Sequence, residues 1–139
     1  MQSAHPEPFV NADSEPYWSA AKEGRLVLQK CKDCGHLDFM PRHVCPACWS
    51  ENRTWVDAQG TGIVHSFSIV HRAPLPAFRA DCPYVVALIE LAEGPRMMTN
   101  IVGDGALDVA IGDPVDLCFE DRGDTCVPQF RLAAQGDAL

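Results

Sequence analysis

The feature that most constrains this chain is a pair of Cys-x-x-Cys motifs separated by ten residues. The cysteines are Cys31, Cys34, Cys45 and Cys48. Each motif brings two sulfur atoms within reach of one ion, and four thiolates at about 2.3 Å close a tetrahedron with no open position for water. The spacing therefore predicts a structural metal site. The segment around it is too short to bury much apolar area, so metal binding would supply folding free energy directly.

Zinc is the metal that this spacing favours, and two alternatives stay open. Iron in the same four-thiolate cage would make a rubredoxin-like electron carrier, which the spacing alone does not exclude. The cysteines could also stay reduced and bind no metal. His36 and His43 lie close to the motifs, but four thiolates already satisfy the ion and leave both histidines as surface residues.

Short β-rich segments separated by glycine and proline turns dominate the rest of the chain. A helix is expected over about 14–23, because Glu15 and Pro16 suit its first turn and Gly24 ends it. Five short strands with no long helix between them predict a small closed or partly open barrel. The ribbon strands are expected at 25–30, 37–41 and 55–58, and the barrel strands at 61–70, 84–91, 96–102, 115–120 and 130–132.

The fold class is therefore mainly β: an N-terminal helix, a rubredoxin-like zinc ribbon and a five-stranded barrel. The expected divisions are 1–24 for the arm and helix, 25–58 for the ribbon and 59–139 for the barrel. The first ten residues are expected to form a loose arm, with Phe9 and Val10 packing on the body. The predicted barrel core consists of Ile63, Phe67, Val85, Ala87, Ile89, Met97, Ile101, Leu117 and Phe130.

The formal net charge of −8 is distributed in a way that disfavours nucleic acid as a partner. Residues 19–56 carry +2, whereas residues 57–139 carry −7. Nucleic-acid affinity depends mainly on Lys and Arg that release counterions, so an acidic barrel repels phosphates. A single-stranded nucleic-acid-binding module stays an alternative, because ribbons and small barrels both have that use. The bases near the cysteines could meet a nucleotide diphosphate; they are Lys22, Arg25, Lys30, Lys32, Arg42 and Arg53.

No motif in the sequence predicts catalysis. An enzyme needs a nucleophile with a base, paired carboxylates or an open metal site, and none stands out. Glycines mark turns and do not form a phosphate-binding G-x-G-x-x-G frame. No apolar run approaches the length of a membrane span, and the N-terminus lacks the pattern of a secretory signal. Seven cysteines, an odd number, suit a reducing compartment, so a cytoplasmic location is expected. Because no catalytic motif is present, we also expect the protein to be non-catalytic.

Several motifs in a fixed order resemble the DUF35 family of zinc-ribbon and OB-fold proteins associated with acyl-CoA metabolism. They are Pro16-Tyr17-Trp18 on the helix, the cysteine ribbon, Gly60-Thr61-Gly62-Ile63-Val64 at the start of the barrel, and Pro83-Tyr84-Val85-Val86-Ala87-Leu88. The resemblance covers about residues 9–132. It implies an OB-fold barrel, the four ribbon cysteines as metal ligands, and a non-catalytic subunit that binds a thiolase-superfamily enzyme. In some systems such subunits help to hold the acyl-CoA substrate. One departure is Trp49, where small residues such as glycine are common.

A partner surface is expected in two places, because Trp and Tyr are enriched at interface hot spots. One is the helix face with Tyr17 and Trp18, although these rings could instead pin the helix to the ribbon. The other is the proline-rich loop from Arg72 to Tyr84, in which Phe78 is expected to be exposed. The residues predicted to contact a partner or acyl-CoA are Tyr17, Trp18, Arg25, Lys32, Arg42, Arg72, Phe78 and Tyr84.

Overall fold

A computed structural model describes residues 5–133, beginning with a short arm and a helix. Helix α1 spans Glu15–Lys22 and carries proline in its first turn, as predicted. Just before it, the N–H of Ser14 donates to Oδ1 of Asn11 at 2.9 Å, and the N–H of Asn11 donates to Oγ of Ser14 at 3.1 Å. Gly24 adopts a left-handed φ of +80° and ends the helix.

The ribbon contains a three-stranded antiparallel sheet. Its strands are β1 (Val27–Cys31), β2 (Leu37–Asp38) and β3 (Arg53–Asp57), in the order β2-β1-β3. The central strand β1 buries four of its five residues, whereas β3 is half-buried along most of its length. The sheet therefore packs on the body through β1 and leaves the two Cys-x-x-Cys turns at its end.

The second half of the chain forms the predicted five-stranded closed barrel. Its strands are β4 (Thr61–Val70), β5 (Tyr84–Leu91), β6 (Arg96–Ile101), β7 (Pro114–Arg122) and β8 (Thr125–Leu132), and they close in the order β4-β5-β6-β8-β7. A short helix α2 (Pro76–Arg79) interrupts the proline-rich loop, and a 3₁₀ turn (Ala106–Asp108) follows β6. The mainly β fold class is confirmed, while the division at 1–24, 25–58 and 59–139 stays a prediction.

The barrel core contains most of the predicted side chains, but the sequence analysis chose the wrong face of the first part of β4. Val64 is buried, whereas Ile63, which the sequence placed inside, is exposed. The cause is a bulge between Val64 and Ser66, which breaks the alternation of the strand. Beyond the bulge, Phe67 and Ile69 pack against the core from half-buried positions.

Strand β8 is longer than its predicted length because it starts directly after a tight turn. The turn is Gly123-Asp124, and β7 pairs with β8 from Arg122↔Thr125 onward. Gly123 has a φ of +66°, which suits the first position of a two-residue hairpin turn. The sequence did not predict the first part of this strand, because Pro128 and polar residues interrupt its apolar pattern. Helix α1 packs mainly against β8, which ties the helix to the barrel.

Among residues 5–133, no helix is long and apolar enough to cross a membrane.

Candidate functional site

Each Cys-x-x-Cys motif forms a tight turn in which backbone N–H groups point at sulfur. In the first turn the N–H of Cys34 donates to Sγ of Cys31 at 3.4 Å, and the N–H of Gly35 donates to the carbonyl of Cys31 at 2.9 Å. In the second turn the N–H of Ala47 donates to Sγ of Cys45 at 3.4 Å. Hydrogen bonds of this kind stabilise the thiolate form, which is the form that binds metals.

Trp49 occupies in the second turn the position that Gly35 occupies in the first. Its N–H donates to the carbonyl of Cys45 at 2.8 Å, and its φ is +70°, close to the +80° of Gly35. Bulky residues rarely adopt this left-handed conformation. The indole is 80% exposed. The departure from glycine therefore leaves the turn unchanged in shape and places an aromatic ring on the surface.

The four motif sulfur atoms all lie within 4.8 Å of one another. The Sγ atoms of Cys31 and Cys48 are 3.5 Å apart, and those of Cys34 and Cys45 are 3.7 Å apart. A tetrahedron with metal–sulfur bonds of about 2.3 Å has sulfur–sulfur edges of about 3.8 Å. None of the seven cysteines forms a disulfide. The donor set therefore fits a four-coordinate metal-binding site.

The surroundings of two of these thiols shift their pKa values in opposite directions. The N–H of Cys34 lowers the pKa of Cys31 to about 6. The N–H of Ser50 acts to lower the pKa of Cys48, but the adjacent sulfur atoms of Cys31 and Cys34 outweigh it and raise that pKa to about 12. One thiolate thus forms readily near neutral pH, whereas four together need a positive charge among them.

A buried polar network holds the segment between the two motifs against the ribbon sheet. The guanidinium of Arg53, whose side chain is 4% exposed, pairs with Asp38 and donates to Oε1 of Gln29 at 2.9 Å. The amide of Gln29 donates to the carbonyl of Arg42 at 3.0 Å and accepts from the N–H of Arg42 at 2.8 Å. Arg53 is therefore interior, and its predicted availability to an anion is wrong.

The other predicted basic contact residues differ in whether their charge is already paired. Arg25 lies 2.8 Å from a carboxylate oxygen of Glu23 and 2.6 Å from one of Asp57. These two carboxylates neutralise it, so Arg25 is poorly placed to attract an anion. Among the residues predicted to contact a partner or acyl-CoA, the basic side chains that are exposed and make no ion pair with any described residue are Lys32, Arg42 and Arg72.

A small cavity of about 290 Å³ lies where the ribbon meets the turn between β5 and β6. His36, Phe39, Arg42 and Arg96 are among its lining residues. The guanidinium of Arg96 lies 3.6 Å from Glu90, at the long end of an ion pair. This concave surface therefore presents two guanidinium groups and an imidazole.

The two aromatic residues of α1 have different surroundings. Tyr17 is 4% exposed, and burial raises the pKa of its hydroxyl. Its ring meets Phe39 of the ribbon at a centroid distance of 5.6 Å and Trp18 at 4.9 Å, both edge-on. Tyr17 therefore pins the helix to the ribbon, whereas Trp18 is half-buried and keeps part of its ring accessible.

Phe78, predicted to be an exposed aromatic, is half-buried in a cluster of rings. The imidazole of His5 stacks on it with centroids 4.7 Å apart, and the ring of Tyr84 lies at 6.3 Å. The guanidinium of Arg122 sits 5.7 Å from the centre of the Phe78 ring. The loop is therefore fastened to the barrel through Phe78 instead of projecting from it.

His5 links the N-terminal arm to the same cluster. Its Nδ1 lies 3.1 Å from Oε1 of Glu120, and its Nε2 contacts Asp81. Burial acts to lower the pKa of His5, but the hydrogen bonds and charges of these two carboxylates raise it above its ordinary value of 6.5. Phe9 and Val10, expected to pack on the body, are exposed instead. No sequence pattern could reveal contacts between residues so far apart along the chain.

A large cavity of about 1020 Å³ lies beside this cluster. Residues from β5, β6, the 3₁₀ turn and the β7–β8 hairpin line it, together with Phe78, Tyr84 and His5. Gln129, which the sequence analysis did not single out, also lines it and is 6% exposed. A single glutamine in an irregular strand carries no signal in the sequence.

Two family models match the chain in the order of its parts. The model described as the rubredoxin-like zinc ribbon domain of ChsH2 matches residues 18–52. The model described as the C-terminal OB-fold domain of ChsH2 matches residues 55–120. The ribbon and the barrel therefore both have counterparts in one family of proteins.

Similar proteins agree with these matches. A probable enoyl-CoA hydratase alpha subunit from Thermomonospora curvata is 42% identical over 95% of this chain, which spans only 41% of that relative's length. A DUF35 domain-containing scaffold protein from Methanocaldococcus jannaschii is 38% identical over 73% of each chain. A solved structure of an Ltp2-ChsH2(DUF35) aldolase is 42% identical, with a TM-score of 0.82 over 92% of this chain and 100% of the other. This chain belongs to the DUF35 family of zinc-ribbon and OB-fold proteins.

Proposed function

We propose that this chain is a non-catalytic accessory subunit that binds a thiolase-like enzyme, one that condenses or cleaves acyl-CoA substrates. The observation that carries the proposal is its likeness to a DUF35 chain of an aldolase, which extends over 92% of this chain and all of the other. The names of the other relatives, a scaffold protein and an alpha subunit, fit a chain that works beside a catalytic partner. The activity, substrate and partner of the complex all belong to this proposal.

Zinc is the proposed metal, with Cys31, Cys34, Cys45 and Cys48 as its ligands. Four thiolates suit zinc, and a closed tetrahedron would hold the ribbon together without binding substrate. Protein purified without added metal should contain about one zinc per chain and be colourless. Coloured protein containing iron would favour the rubredoxin-like electron carrier instead. A cytoplasmic location accompanies the proposal, because a reducing compartment keeps cysteines free.

The proposed partner surface combines the loop from Arg72 to Tyr84 with Trp18 and Trp49. Burial removes Tyr17 from this surface, since its ring is enclosed between the helix and the ribbon. Trp49 joins it because an indole that is 80% exposed is a large apolar area facing water. Tryptophan is among the residues that most often dominate interface energies.

We place the proposed acyl-CoA contact at the small cavity between the ribbon and the β5–β6 turn. Arg42 and Arg96 would face the phosphates of CoA there, and Lys32 is a further unpaired base on the ribbon. Guanidinium groups bind phosphate through paired hydrogen bonds, which favours this cavity over the acidic barrel face. Arg25 contributes least, because Glu23 and Asp57 already neutralise it.

Co-purification with a co-expressed thiolase-like enzyme tests the proposal. Phe78→Ala should weaken the association by about 2 kcal/mol, roughly thirtyfold, because the half-buried ring fastens the proposed loop surface to the barrel. Ile111→Ala is the matched control, since Ile111 is 70% exposed and lies outside the loop and the helix. Wild-type binding by the Phe78 variant would remove the loop from the interface. Failure of the unaltered protein to bind any such enzyme would contradict the accessory role.

The isolated protein should not turn over acyl-CoA thioesters. The proposed zinc has no open position for water or substrate, so it would supply no Lewis acid to the reaction. Hydrolysis or condensation at enzyme-like rates, by a preparation shown to be free of thiolase, would contradict the non-catalytic assignment.

A further inference from the structure

The large cavity lies on the face of the barrel that OB folds use to bind ligands. In such barrels the second and third strands, with the loops that join strands 1–2 and 4–5, form the binding face. The corresponding parts here are β5 and β6, the proline-rich loop and the β7–β8 hairpin, and all four contribute to the cavity of about 1020 Å³. The lining residues Val86, Met98 and Asn100 alternate along β5 and β6 with side chains buried in the core, so they face outward.

The wall of this cavity contains the amide of Gln129, which has no hydrogen-bond partner within residues 5–133. Gln129 is 6% exposed, and its side chain makes no hydrogen bond to any described residue. The neighbouring polar groups are already engaged: Nδ2 of Asn100 donates to the carbonyl of Val85 at 2.9 Å, and Oγ1 of Thr99 donates to the carbonyl of Pro128 at 3.0 Å. Gln129 lines the cavity, and protein atoms do not fully enclose its amide, so a bound ligand can reach it. A ligand that offers both a donor and an acceptor would pair with Gln129.

The net negative charge of the cavity lining favours a positively charged ligand. Four carboxylates line it, against the guanidinium of Arg122 and the imidazole of His5; they are Asp81, Asp104, Asp108 and Glu120. Arg122 is already paired with Glu120 at 2.5 Å. Asp104 and Asp108 make no ion pair with any residue from 5 to 133 and are exposed at the rim. Such a surface repels phosphate groups and attracts cations.

Apolar side chains lie beside this acidic rim. Met98 on β6 is 70% exposed and Leu107 in the 3₁₀ turn is 48% exposed, and both line the cavity. Tyr84 adds the face of an aromatic ring. A ligand for this face therefore carries apolar groups next to positive charge, with polar groups that match an amide.

We infer that this face binds an extended basic segment of the partner enzyme, in which a peptide group pairs with Gln129. Arginine or lysine side chains of that segment lie against Asp104 and Asp108, and neighbouring apolar side chains cover Met98 and Leu107. A peptide group supplies one donor and one acceptor, which is the complement of a glutamine amide. The inference rests on the proposed function only for the source of the segment.

The test uses the full chain, isotopically labelled and loaded with zinc, and a short blocked peptide that alternates arginine with leucine. We expect amide shifts confined to β5, β6, the 3₁₀ turn and the part of β8 around Gln129, and an affinity that falls as salt rises. The double variant Asp104→Asn/Asp108→Asn should weaken binding about tenfold or more. The matched control Asp13→Asn/Asp116→Asn removes the same charge from positions outside the cavity and should change binding by less than about twofold. Gln129→Leu should weaken binding without altering the peptide's salt dependence.

Three outcomes would overturn the inference. Equal weakening by both double variants would mean that the peptide responds only to net charge. Stronger shifts at the same amides with oligothymidylate or free CoA would mean that the face selects anions. No shift with the peptide at millimolar concentration would mean that the cavity takes no basic segment. If the peptide binds but no thiolase-like enzyme co-purifies, the accessory role fails while the basic-segment site stands.

Discussion

The ribbon and the barrel are held together by different means. In the ribbon, strand β2 has two residues, and most of the buried apolar side chains come from Leu26, Val27 and Leu28. In the barrel, β5 alternates between buried and half-buried residues over its whole length, and Phe130 is fully buried in the same core. So small a sheet is marginal by itself. We therefore expect the ribbon to need a metal at its four cysteines in addition to the packing of β1 on the shared core, whereas the barrel depends on apolar burial.

Loss of the ribbon on metal removal is the largest effect that this comparison predicts. Structural zinc contributes an apparent binding free energy of about 10 to 16 kcal/mol in small zinc-binding peptides. With chelator, or in Cys45→Ser, we expect β1 and β3 to lose protection from hydrogen exchange while β5 keeps it. Helix α1 should also stay protected, because it packs mainly against β8.

Cys126→Ser is the control for that experiment, because Cys126 lies outside the cluster and is half-buried. Its metal content and exchange pattern should match those of the unaltered protein. Simultaneous loss of protection in β5 would contradict the comparison, because the ribbon and barrel would then unfold as one unit.

A substitution in the barrel core should destabilise the protein without removing the metal, in contrast to the ribbon substitutions. Phe130 is fully buried, and truncation of a buried phenylalanine to alanine typically costs about 3 to 5 kcal/mol. Phe130→Ala should therefore lower the midpoint of denaturant unfolding strongly while zinc content in the folded protein stays the same. Ile111→Ala, at a position 70% exposed, should shift the midpoint little. Loss of zinc from the folded Phe130 variant would show that the ribbon needs an intact barrel core.

The two turns of the ribbon allow a smaller and sharper test. Trp49 and Gly35 share a left-handed conformation, which costs a non-glycine residue about 1 to 2 kcal/mol. Trp49→Gly should stabilise the protein by about 0.5 to 1 kcal/mol after allowing for the greater freedom of glycine in the unfolded chain. Gly35→Ala should destabilise it by a similar amount. A lower thermal midpoint for Trp49→Gly would mean that the indole makes stabilising contacts.

The sequence predicted the parts of this protein that depend on local patterns. The cysteine spacing predicted the cluster of four sulfur atoms, and β5 has its predicted bounds because alternation and flanking turns mark it fully. Contacts between distant segments were not predictable. Because of the bulge after Val64, Ile63 faces solvent instead of the core. The burial of Gln129 depends on segments that meet only in the folded barrel. Phe78 was expected to be exposed because its covering residue, His5, lies far away in the chain.

The smallest predicted effect concerns the contact between the N-terminal arm and the barrel. His5 is held by Asp81 of the loop and Glu120 of β7, next to Arg122 and over the ring of Phe78. Its pKa is raised in the folded protein, so its contribution is fully present below the unfolded pKa of about 6.5 and is lost as pH rises through the folded value. Partly exposed ion pairs of this kind contribute less than about 1 kcal/mol.

Hydrogen exchange in the loop from Arg72 to Tyr84 measures this contribution directly, because loss of the His5 contacts frees Phe78 and the loop with it. After correction for the intrinsic pH dependence of exchange, protection of the loop should be lower at a pH above the raised pKa of His5 than at about pH 6. His5→Gln should show weaker protection with no such fall, since the amide keeps some hydrogen bonding but does not titrate. Equal loop protection at both pH values in the unaltered protein would mean that contacts that do not titrate hold the arm, such as the hydrogen bond from Arg122 to the carbonyl of Pro6.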